Sequence, residues 1–294
     1  MYVHLRKVSD TMNTRETYSL NIGGQLLTLN EPKVMGILNV TPDSFYSNSR
    51  KQTDTDIIRR VEQMQKEEAD IIDIGGYSTR PNAKDVPLSE EMNRLHKALT
   101  IVRKIAPNAI VSVDTFRADV ATMCVEEYGV NIINDISGGD MDSNMFSAIA
   151  KLKVPYVLTH MQGTPKDMQQ HPFYENIIQD IISYMTNRVN RLHDIGVKDI
   201  IIDPGFGFGK TLEHNYQIMA HLDVFNLLKC PILIGISRKS MIYKQLNISP
   251  DESLNGTSVL HALALNAGAH ILRVHDVKEC KECINLCEEV RRWG

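Results

Sequence analysis

Eight short apolar runs, separated by segments with helical periodicity, constrain the fold of this chain more than any other feature of its sequence. The runs are rich in Ile, Val and Leu without strict alternation, which is typical of parallel strands buried on both faces. The segments between them, such as 54–69 and 175–196, place apolar residues at helical spacing. The pattern predicts a β-strand followed by an α-helix eight times, with the strands in runs 34–40, 69–75, 109–115, 131–137, 154–160, 199–205, 231–237 and 270–276.

Eight such units most simply close into an α/β fold of the (β/α)8 or TIM-barrel type, for which about 250 residues is typical. An open doubly wound sheet is the alternative, but the chain lacks a Gly-rich turn after the first run. Residues 17–30 predict a β-hairpin that turns at Gly23-Gly24 and covers the bottom of the barrel. We expect residues 1–16 to form a weakly ordered extension and 17–294 to form a single domain.

Composition narrows the class of protein. The formal net charge is −4 and no block of Lys and Arg occurs, which argues against a nucleic-acid partner. The first ten residues lack the apolar core of a signal peptide, and no run approaches the roughly 18 apolar residues of a membrane span. We therefore expect no membrane association and a cytoplasmic location.

Three of the five cysteines lie close together near the C-terminus. Cys280, Cys283 and Cys287 share one face of a predicted helix, alongside Ile284 and Val290. A metal site would use such spacing, but no second Cys pair accompanies it, and free Cys packs as a small apolar residue. We interpret the three as core residues.

The stretch IIDPGFGFGKT, at 201–211, resembles a phosphate-binding loop without satisfying its pattern. The first Gly of that pattern would fall at Pro204, and the third Gly of a dinucleotide fingerprint would fall at Lys210. What remains is a strand that ends on Asp203 and turns through Pro-Gly. The sequence therefore raises the question of what Asp203 binds.

Polar residues end every predicted strand, and in a barrel these ends form one rim. Any one of them could simply cap the following helix. Together they form two chemical sets. The first offers carboxylates, an amide and an ammonium, which suits a flat heterocycle; the second suits a phosphate or diphosphate. The first set is Asp114, Asn134, Asp203 and Lys239, and the second is Asn39, Arg80, Arg273 and His275.

The ordered motifs resemble those of the dihydropteroate synthase family of the folate pathway. They are GILNVTPDSF, IDIGGYSTRP, VSVDT, INDISGG, HMQGTP, IIDPGFGFGKT, ISRKS and RVHDV, and they span 34–277. The resemblance implies an enzyme that joins 4-aminobenzoate to 7,8-dihydropterin-6-ylmethyl diphosphate, releasing diphosphate, with Mg²⁺ as cofactor. It also implies a homodimer and inhibition by sulfonamides.

The resemblance also implies a role for individual residues. Catalytic roles fall on Asn39, Arg80, Lys239, Arg273 and His275. Pterin contacts fall on Asp114, Asn134, Met161, Asp203 and Lys239. Diphosphate contacts fall on Asn39, Thr79, Arg80, Arg273 and His275, with Asn39 as the magnesium ligand. The 4-aminobenzoate pocket falls on Phe45, Pro81, Phe208 and Ser240, the last at a predicted helix N-terminus.

The sequence departs from the family in two loops. Where the family usually reads SDGG after the first motif, this chain has Tyr46-Ser47-Asn48-Ser49-Arg50, without the usual acidic residue. Tyr77 replaces a common Glu, and Asn82 replaces a Gly. Asp43 is the remaining nearby acid, and we interpret it as bracing its turn rather than binding magnesium.

Two other functions fit parts of the sequence. A corrinoid-linked methyltransferase would share the pterin contacts but has no use for a diphosphate site. A barrel that binds pterins without catalysis would be consistent with the altered loop after Phe45.

Overall fold

The structure of the protein is a computed structural model that describes residues 15–41, 54–78, 85–170 and 172–293. Eight parallel strands form one sheet, and a separate two-stranded antiparallel hairpin precedes it. The hairpin strands are β1 (Ser19–Ile22) and β2 (Gln25–Thr28). The sheet strands are β3 (Lys33–Asn39), β4 (Ile71–Gly75), β5 (Ile110–Asp114), β6 (Ile132–Asp135), β7 (Tyr156–Thr159), β8 (Ile200–Asp203), β9 (Leu233–Ile234) and β10 (Ile271–Val274).

The eight strands close into a barrel. Their order in the sheet is β8-β7-β6-β5-β4-β3-β10-β9, and an isolated parallel bridge between Ile202 and Ile232 joins the two ends. The amide of Ile202 donates to the carbonyl of Pro231 at 2.9 Å across this join. The predicted (β/α)8 barrel is therefore confirmed, and each predicted run contains most or all of one strand.

Strand β9 is much shorter than its predicted run. It has two residues, whereas the apolar run covers 231–237. The chain turns soon after Ile234, because the amide of Lys239 already donates to the carbonyl of Ile236 at 3.0 Å. Apolar composition alone could not reveal where this turn begins.

Helices connect the strands on the outside of the barrel. In α5, Ile177, Ile181, Met185 and Val189 form one buried stripe, and the Asn176 side chain caps the first turn. The helices in the described ranges are α1 (Asp54–Lys66), α2 (Leu88–Ile105), α3 (Ala118–Tyr128), α4 (Met145–Leu152), α5 (Ile177–Asp194), α6 (Leu212–Ala220), α7 (Ser240–Leu246), α8 (Leu254–Asn266) and α9 (Val277–Arg292). Short 3-10 segments lie at Leu222–Leu228 and Pro250–Glu252.

The N-terminal hairpin covers the bottom of the barrel, as the sequence predicted. It turns at Gly23 and Gly24, both at positive φ, and the Asn21 carboxamide accepts a hydrogen bond from the Gly24 amide at 2.8 Å. Leu20 and Ile22 join a buried cluster made by the inward-facing residues at the start of the barrel strands. Those residues are Met35, Ile71, Ile132, Val157, Ile201, Leu233 and Ile271.

The cysteines of α9 pack into the protein, as interpreted from their spacing. Cys280 and Ile284 are buried in the core between helices and strands, and Cys283 and Cys287 pack against it. The expectation for Val290 was wrong, because this side chain is 71% exposed. It lies six positions after Ile284, which places it about 120° away from Ile284 around the helix.

The predicted division at residue 17 stays a prediction, because 1–14 lie outside the described residues. Arg15 and Glu16 are described and form ion pairs with Glu288 and Lys229. Among the helices of the described ranges, none combines the length and apolar character needed to cross a bilayer.

Candidate active site

The candidate site lies at the C-terminal end of the barrel, directly above the apolar bottom layer. Side chains alternate along a strand, so a residue two positions beyond an inward-facing one also faces inward. In four strands this brings a polar side chain into the barrel above an apolar one. The pairs are Ile71 with Asp73, Ile132 with Asn134, Ile201 with Asp203, and Ile271 with Arg273.

Arg273 links two carboxylates at the centre of the site. Its Nε donates to Asp73 Oδ2 at 2.7 Å, and its Nη2 donates to Asp114 Oδ2 at 2.8 Å. Asn134 joins the same group, because its Nδ2 donates to Asp73 Oδ2 at 3.2 Å. Strands β4, β5, β6 and β10 therefore meet in one polar network.

Asp73 was missed by sequence reasoning. It lies within the apolar run of β4 rather than at its end, and it is fully buried. Its signal was available, since an unpaired carboxylate is costly inside an apolar strand and calls for a cationic partner. The partner, Arg273, is 200 residues away in the sequence.

Burial raises the pKa of Asp114 to about 7, although the neighbouring Arg273 opposes the shift. Asp114 also lies close to Asn39, at the end of β3. A Cβ built on Gly75 would stand 3.3 Å from Asn39 Oδ1 and 3.7 Å from Asp114 Cβ. Glycine at this position keeps the space between the two side chains open.

Asp203 and Lys239 face each other on the opposite side of the site. A Cβ built on Gly235 would lie 3.9 Å from Asp203 Oδ2, from Lys239 Nζ and from Arg273 Cβ, so the three side chains converge. Burial lowers the pKa of Lys239 to about 8, partly offset by Asp203. Burial raises the pKa of Asp203, and Lys239 opposes that shift.

The loop after β8 wraps the site without forming a phosphate-binding loop. Lys210 points inward and is buried, and its Nζ donates to His160 Nδ1 and to the Phe208 carbonyl, each at 2.9 Å. Asp203 Oδ1 accepts a hydrogen bond from the Gly205 amide at 2.8 Å. The ring of Phe208 lies beneath Lys239, whose Nζ is 4.6 Å from the ring centroid.

His275 occupies the rim beside Ser237. Its Nδ1 is 3.1 Å from Ser237 Oγ, and burial lowers its pKa to about 4, with a further contribution from Arg273. Arg273, a predicted diphosphate partner, instead gives two of its donors to Asp73 and to Asp114 of the pterin set. His275 directly follows the strand that carries Arg273, but the two side chains contact different groups.

The other predicted residues fall into two groups. Met161 is 6% exposed and directly follows β7 and His160, while Ser240 is the first residue of α7. The remaining candidates lie outside the described residues. These are Asp43, Phe45, Tyr46, Ser47, Asn48, Ser49, Arg50, Thr79, Arg80, Pro81 and Asn82.

Another strand-end residue, Asp135, has a structural role. It accepts hydrogen bonds from the Ser137 amide and hydroxyl at 2.7 Å each, from the Gly139 amide at 2.9 Å and from the Tyr156 hydroxyl at 2.6 Å. These bonds occupy both carboxylate oxygens, so Asp135 braces the loop after β6.

The donor set near Asn39 is compatible with a weakly held Mg²⁺ ion. In the described part of the chain, no group of three or more His, Cys, Asp or Glu side chains could form a metal cage. Mg²⁺ commonly takes one or two protein oxygens together with substrate phosphate oxygens and water. An amide oxygen such as Asn39 Oδ1 on the rim fits that pattern.

The chain resembles known proteins along nearly its whole length. Residues 35–275 match the family profile described as pterin binding enzyme. Dihydropteroate synthase of Escherichia coli is 40% identical over 269 residues, covering 90% of this chain and 94% of the relative.

Solved structures agree with this relationship. Dihydropteroate synthase of Yersinia pestis, solved in complex with a sulfonamide drug, superposes with a TM-score of 0.87 at 38% identity, covering 94% of this chain and 100% of that one. The Thermus thermophilus dihydropteroate synthase in complex with 4-aminobenzoate gives a TM-score of 0.83 at 33% identity, covering 93% and 100%. The chain is therefore a member of the pterin binding enzyme family and belongs among its dihydropteroate synthases.

Proposed function

We propose that this protein condenses 7,8-dihydropterin-6-ylmethyl diphosphate with 4-aminobenzoate, giving 7,8-dihydropteroate and diphosphate. The observation that carries the proposal is the convergence of Asp203, Lys239 and Arg273 around Gly235. Arg273 also joins them to Asp114 through its Nη2. A compact set of acceptors and cations at the C-terminal end of a barrel suits a polar, planar ring.

The pterin ring is held by its polar edge. Asp203 accepts from a ring N–H and the exocyclic amino group, while Lys239 donates to the ring carbonyl and a ring nitrogen. Asn134 and Asp114 complete the set, and Met161 packs on the ring face. Support comes from the buried positions of Asn134 and Asp203 and from the shifted pKa of Lys239, both typical of a binding site.

The reaction proceeds by ionisation. The bond from the methylene carbon to the diphosphate oxygen breaks first, which leaves a cation delocalised on the electron-rich dihydropterin. The 4-aminobenzoate nitrogen then forms the new C–N bond and releases a proton to water. Because charge separation dominates the barrier, Asp114 and Asp203 contribute by stabilising the cation electrostatically.

The diphosphate is bound at the other side of the rim. Asn39, Thr79, Arg80, Arg273 and His275 are the proposed contacts. Before substrate binds, His275 is a neutral hydrogen-bond donor, since its pKa is lowered to about 4. Arg273 reaches the diphosphate with a donor that its two carboxylate partners leave available. Asn39 would hold Mg²⁺, which neutralises charge on the departing diphosphate when bound.

The second substrate, 4-aminobenzoate, binds between the loops. Phe45, Pro81 and Phe208 form the proposed walls, and Ser240 binds the carboxylate. Aryl sulfonamides should compete with 4-aminobenzoate, because the sulfonamide group can take the place of the carboxylate while the aniline ring is kept. The placement of Phe208 beside Lys239 supports a pocket that adjoins the pterin site.

Diphosphate release measured with and without 4-aminobenzoate tests the function. We expect diphosphate and dihydropteroate to form in equal amounts when both substrates are present. A protein that binds the pterin but releases no diphosphate would be a non-catalytic binding barrel. Methyl transfer from methyltetrahydrofolate to a corrinoid would identify the other rival.

A magnesium titration tests the metal ligand. Asn39→Ala should raise the magnesium concentration needed for half-maximal rate, whereas Asp43→Ala should mainly weaken saturation by 4-aminobenzoate. If the magnesium requirement shifts for Asp43→Ala and not for Asn39→Ala, Asp43 is the ligand instead.

We further propose that the protein is a cytoplasmic homodimer. Helix α8 buries Leu260 and Ala264 yet leaves Val259 and Leu263 on its outer face 54% and 53% exposed. A helix that is apolar on both faces is usually covered on both. Val259→Glu should yield monomers by light scattering, whereas Leu227→Glu, at an exposed apolar residue elsewhere, should not. The free thiols of all five cysteines suit the reducing cytoplasm.

A further inference from the structure

We propose that Asp73 is a positioning residue that fixes the orientations of both Arg273 and Asn134 for pterin recognition. The inference rests on the proposed function, because it concerns the same site. Asp73 Oδ2 is the shared acceptor for Arg273 Nε at 2.7 Å and for Asn134 Nδ2 at 3.2 Å. Asp73 is fully buried, so it acts through these two residues rather than by touching the substrate.

Asp73 determines which end of the Asn134 amide faces the site. An ionised carboxylate can only accept hydrogen bonds, so the amide must turn its NH₂ group toward Asp73. The carbonyl oxygen of Asn134 is then directed away from Asp73. Without Asp73, nothing in this contact would distinguish the two amide orientations. The Asp73 carboxylate therefore directs the carbonyl oxygen of Asn134, a hydrogen-bond acceptor, toward the N–H donors on the edge of a bound pterin.

Asp73 also limits how Arg273 engages Asp114. With Nε held by Asp73, the guanidinium reaches Asp114 Oδ2 through Nη2 alone. A free guanidinium tends to bind a carboxylate in a bidentate manner, using both oxygens. Asp73 thereby keeps one oxygen of Asp114 from being occupied by Arg273 and holds the plane of the guanidinium in place.

Stability alone does not explain a carboxylate at this position. Asp73 Oδ1 is buried, and within the described residues it has no hydrogen-bond partner. A buried ion pair with an unsatisfied oxygen is usually no more stable than an apolar replacement of similar size. Side chains that break the local pattern of a sequence in this way tend to mark functional sites.

The isosteric variant Asp73→Asn tests the proposal, with Asp70→Asn as the matched control. Asp70 immediately precedes the same strand, at the opposite end of the barrel, and pairs with Lys281 at 2.7 Å. We expect Asp73→Asn to weaken binding of a pterin, measured by calorimetry, by about 10- to 100-fold and to lower kcat. The KM for 4-aminobenzoate should change less than about threefold, as should every constant of Asp70→Asn.

A mutant cycle separates positioning from a general structural effect. If Asp73 acts through Arg273 and Asn134, adding Asp73→Asn to a variant that already carries Arg273→Gln and Asn134→Ala should change pterin binding by less than about threefold. Independent, multiplying losses would overturn the proposal, as would equal effects of Asp73→Asn and Asp70→Asn.

A ligand-free crystal structure of Asp73→Asn gives a readout that does not depend on the proposed reaction. We expect Arg273 to rotate onto both oxygens of Asp114 and the Asn134 amide to move. If neither side chain moves, the positioning role is wrong even when the enzyme is active. If both move but the wild type releases no diphosphate, the proposed reaction fails and the positioning role stands.

Discussion

Carboxylates and cations are closely packed among the side chains of the site. Asp73 and Asp114 pair with Arg273, whereas Asp203 interacts electrostatically with Lys239, Lys210 and Arg273. Burial moves the pKa of Asp114 up to about 7 and that of Lys239 down to about 8, so both shift toward their neutral forms. A ligand with several N–H donors would provide hydrogen bonds to these carboxylates, and a pterin has such donors.

Asp203→Asn should weaken pterin binding by about 2 to 4 kcal/mol. The Gly205 amide requires an acceptor at Asp203 Oδ1, so an Asn side chain would keep its oxygen there and turn its NH₂ group toward the ligand's own donors. Calorimetry with a pterin measures the loss, and Asp199→Asn, just before the same strand, is the control. An effect below threefold would remove Asp203 from the pterin site.

At the level of single residues, the sequence predicted several members of this polar network, and their roles in binding stay predictions. Asp114, Asn134 and Asp203 were identifiable because each ends a predicted strand, and Lys239 because it follows one closely. Asp73 was missed because it lies inside the apolar run of β4, and its cationic partner, Arg273 of β10, is 200 residues away in the sequence. The sequence also could not reveal that Arg273 donates hydrogen bonds to two carboxylates, since that depends on distances between strands.

At the scale of elements, the loop after β8 shows why glycine recurs in GFGFG. Gly205 has a φ of 74°, and a Cβ there would lie 1.9 Å from the His160 carbonyl oxygen. The glycine thus allows two loops to touch, which positions Asp203 and Phe208. The sequence excluded a phosphate-binding loop, but it could not show that Lys210 would turn inward to His160.

Gly205→Ala should destabilise the protein far more than Gly196→Ala. Both glycines have positive φ, at 74° and 90°, but a Cβ on Gly196 would meet nothing within 4 Å. Each variant bears the cost of a left-handed residue, about 1 kcal/mol, and only Gly205→Ala adds a collision with backbone. Urea unfolding of the two variants compares them. Equal losses of unfolding free energy would mean that the close contact with the His160 carbonyl does not affect stability.

At the scale of the whole molecule, the barrel has a polar end and an apolar end. The polar end holds the candidate site, and the apolar end is covered by the hairpin. This division into two ends follows from the alternation of side chains along each strand. For that reason the sequence predicted both the fold and the polar rim. The length of β9 escaped prediction because a turn ended it early.

Leu20→Ala should lower the free energy of unfolding by about 2 to 5 kcal/mol and leave both KM values unchanged. Leu20 is 2% exposed in the bottom cluster, far along the barrel from the site residues. Leu26 of the same hairpin is 72% exposed, so Leu26→Ala is the matched control and should cost less than about 0.5 kcal/mol. A change in KM for Leu20→Ala would contradict the separation of the two ends.

Stability should also depend on pH through buried histidines. Burial lowers the pKa of His270 to about 4, while its Nδ1 accepts from the Ile232 amide at 3.1 Å. Because the folded-state pKa lies below the ordinary value of about 6.5, the unfolded state binds the proton first, and the contribution of His270 to stability is lost as pH falls from about 6.5 to 4.

Comparison with His270→Gln isolates this contribution from buried acids such as Asp114, which act in the opposite sense. The difference in free energy of unfolding between wild type and variant should shrink as pH falls through that window. A constant difference would mean that His270 keeps its ordinary pKa in the folded protein.

The join between β8 and β9 gives the barrel a seam, and this seam runs through the ligand site. A single bridge, Ile202 with Ile232, holds the described strands together there, and Asp203 and Lys239 lie on opposite sides of it. A pterin hydrogen-bonded to both side chains would therefore connect the two edges of the sheet where their own pairing is weakest. Hydrogen exchange at the Ile202 amide should be faster than at Ile133 in the free protein, and pterin should slow it selectively.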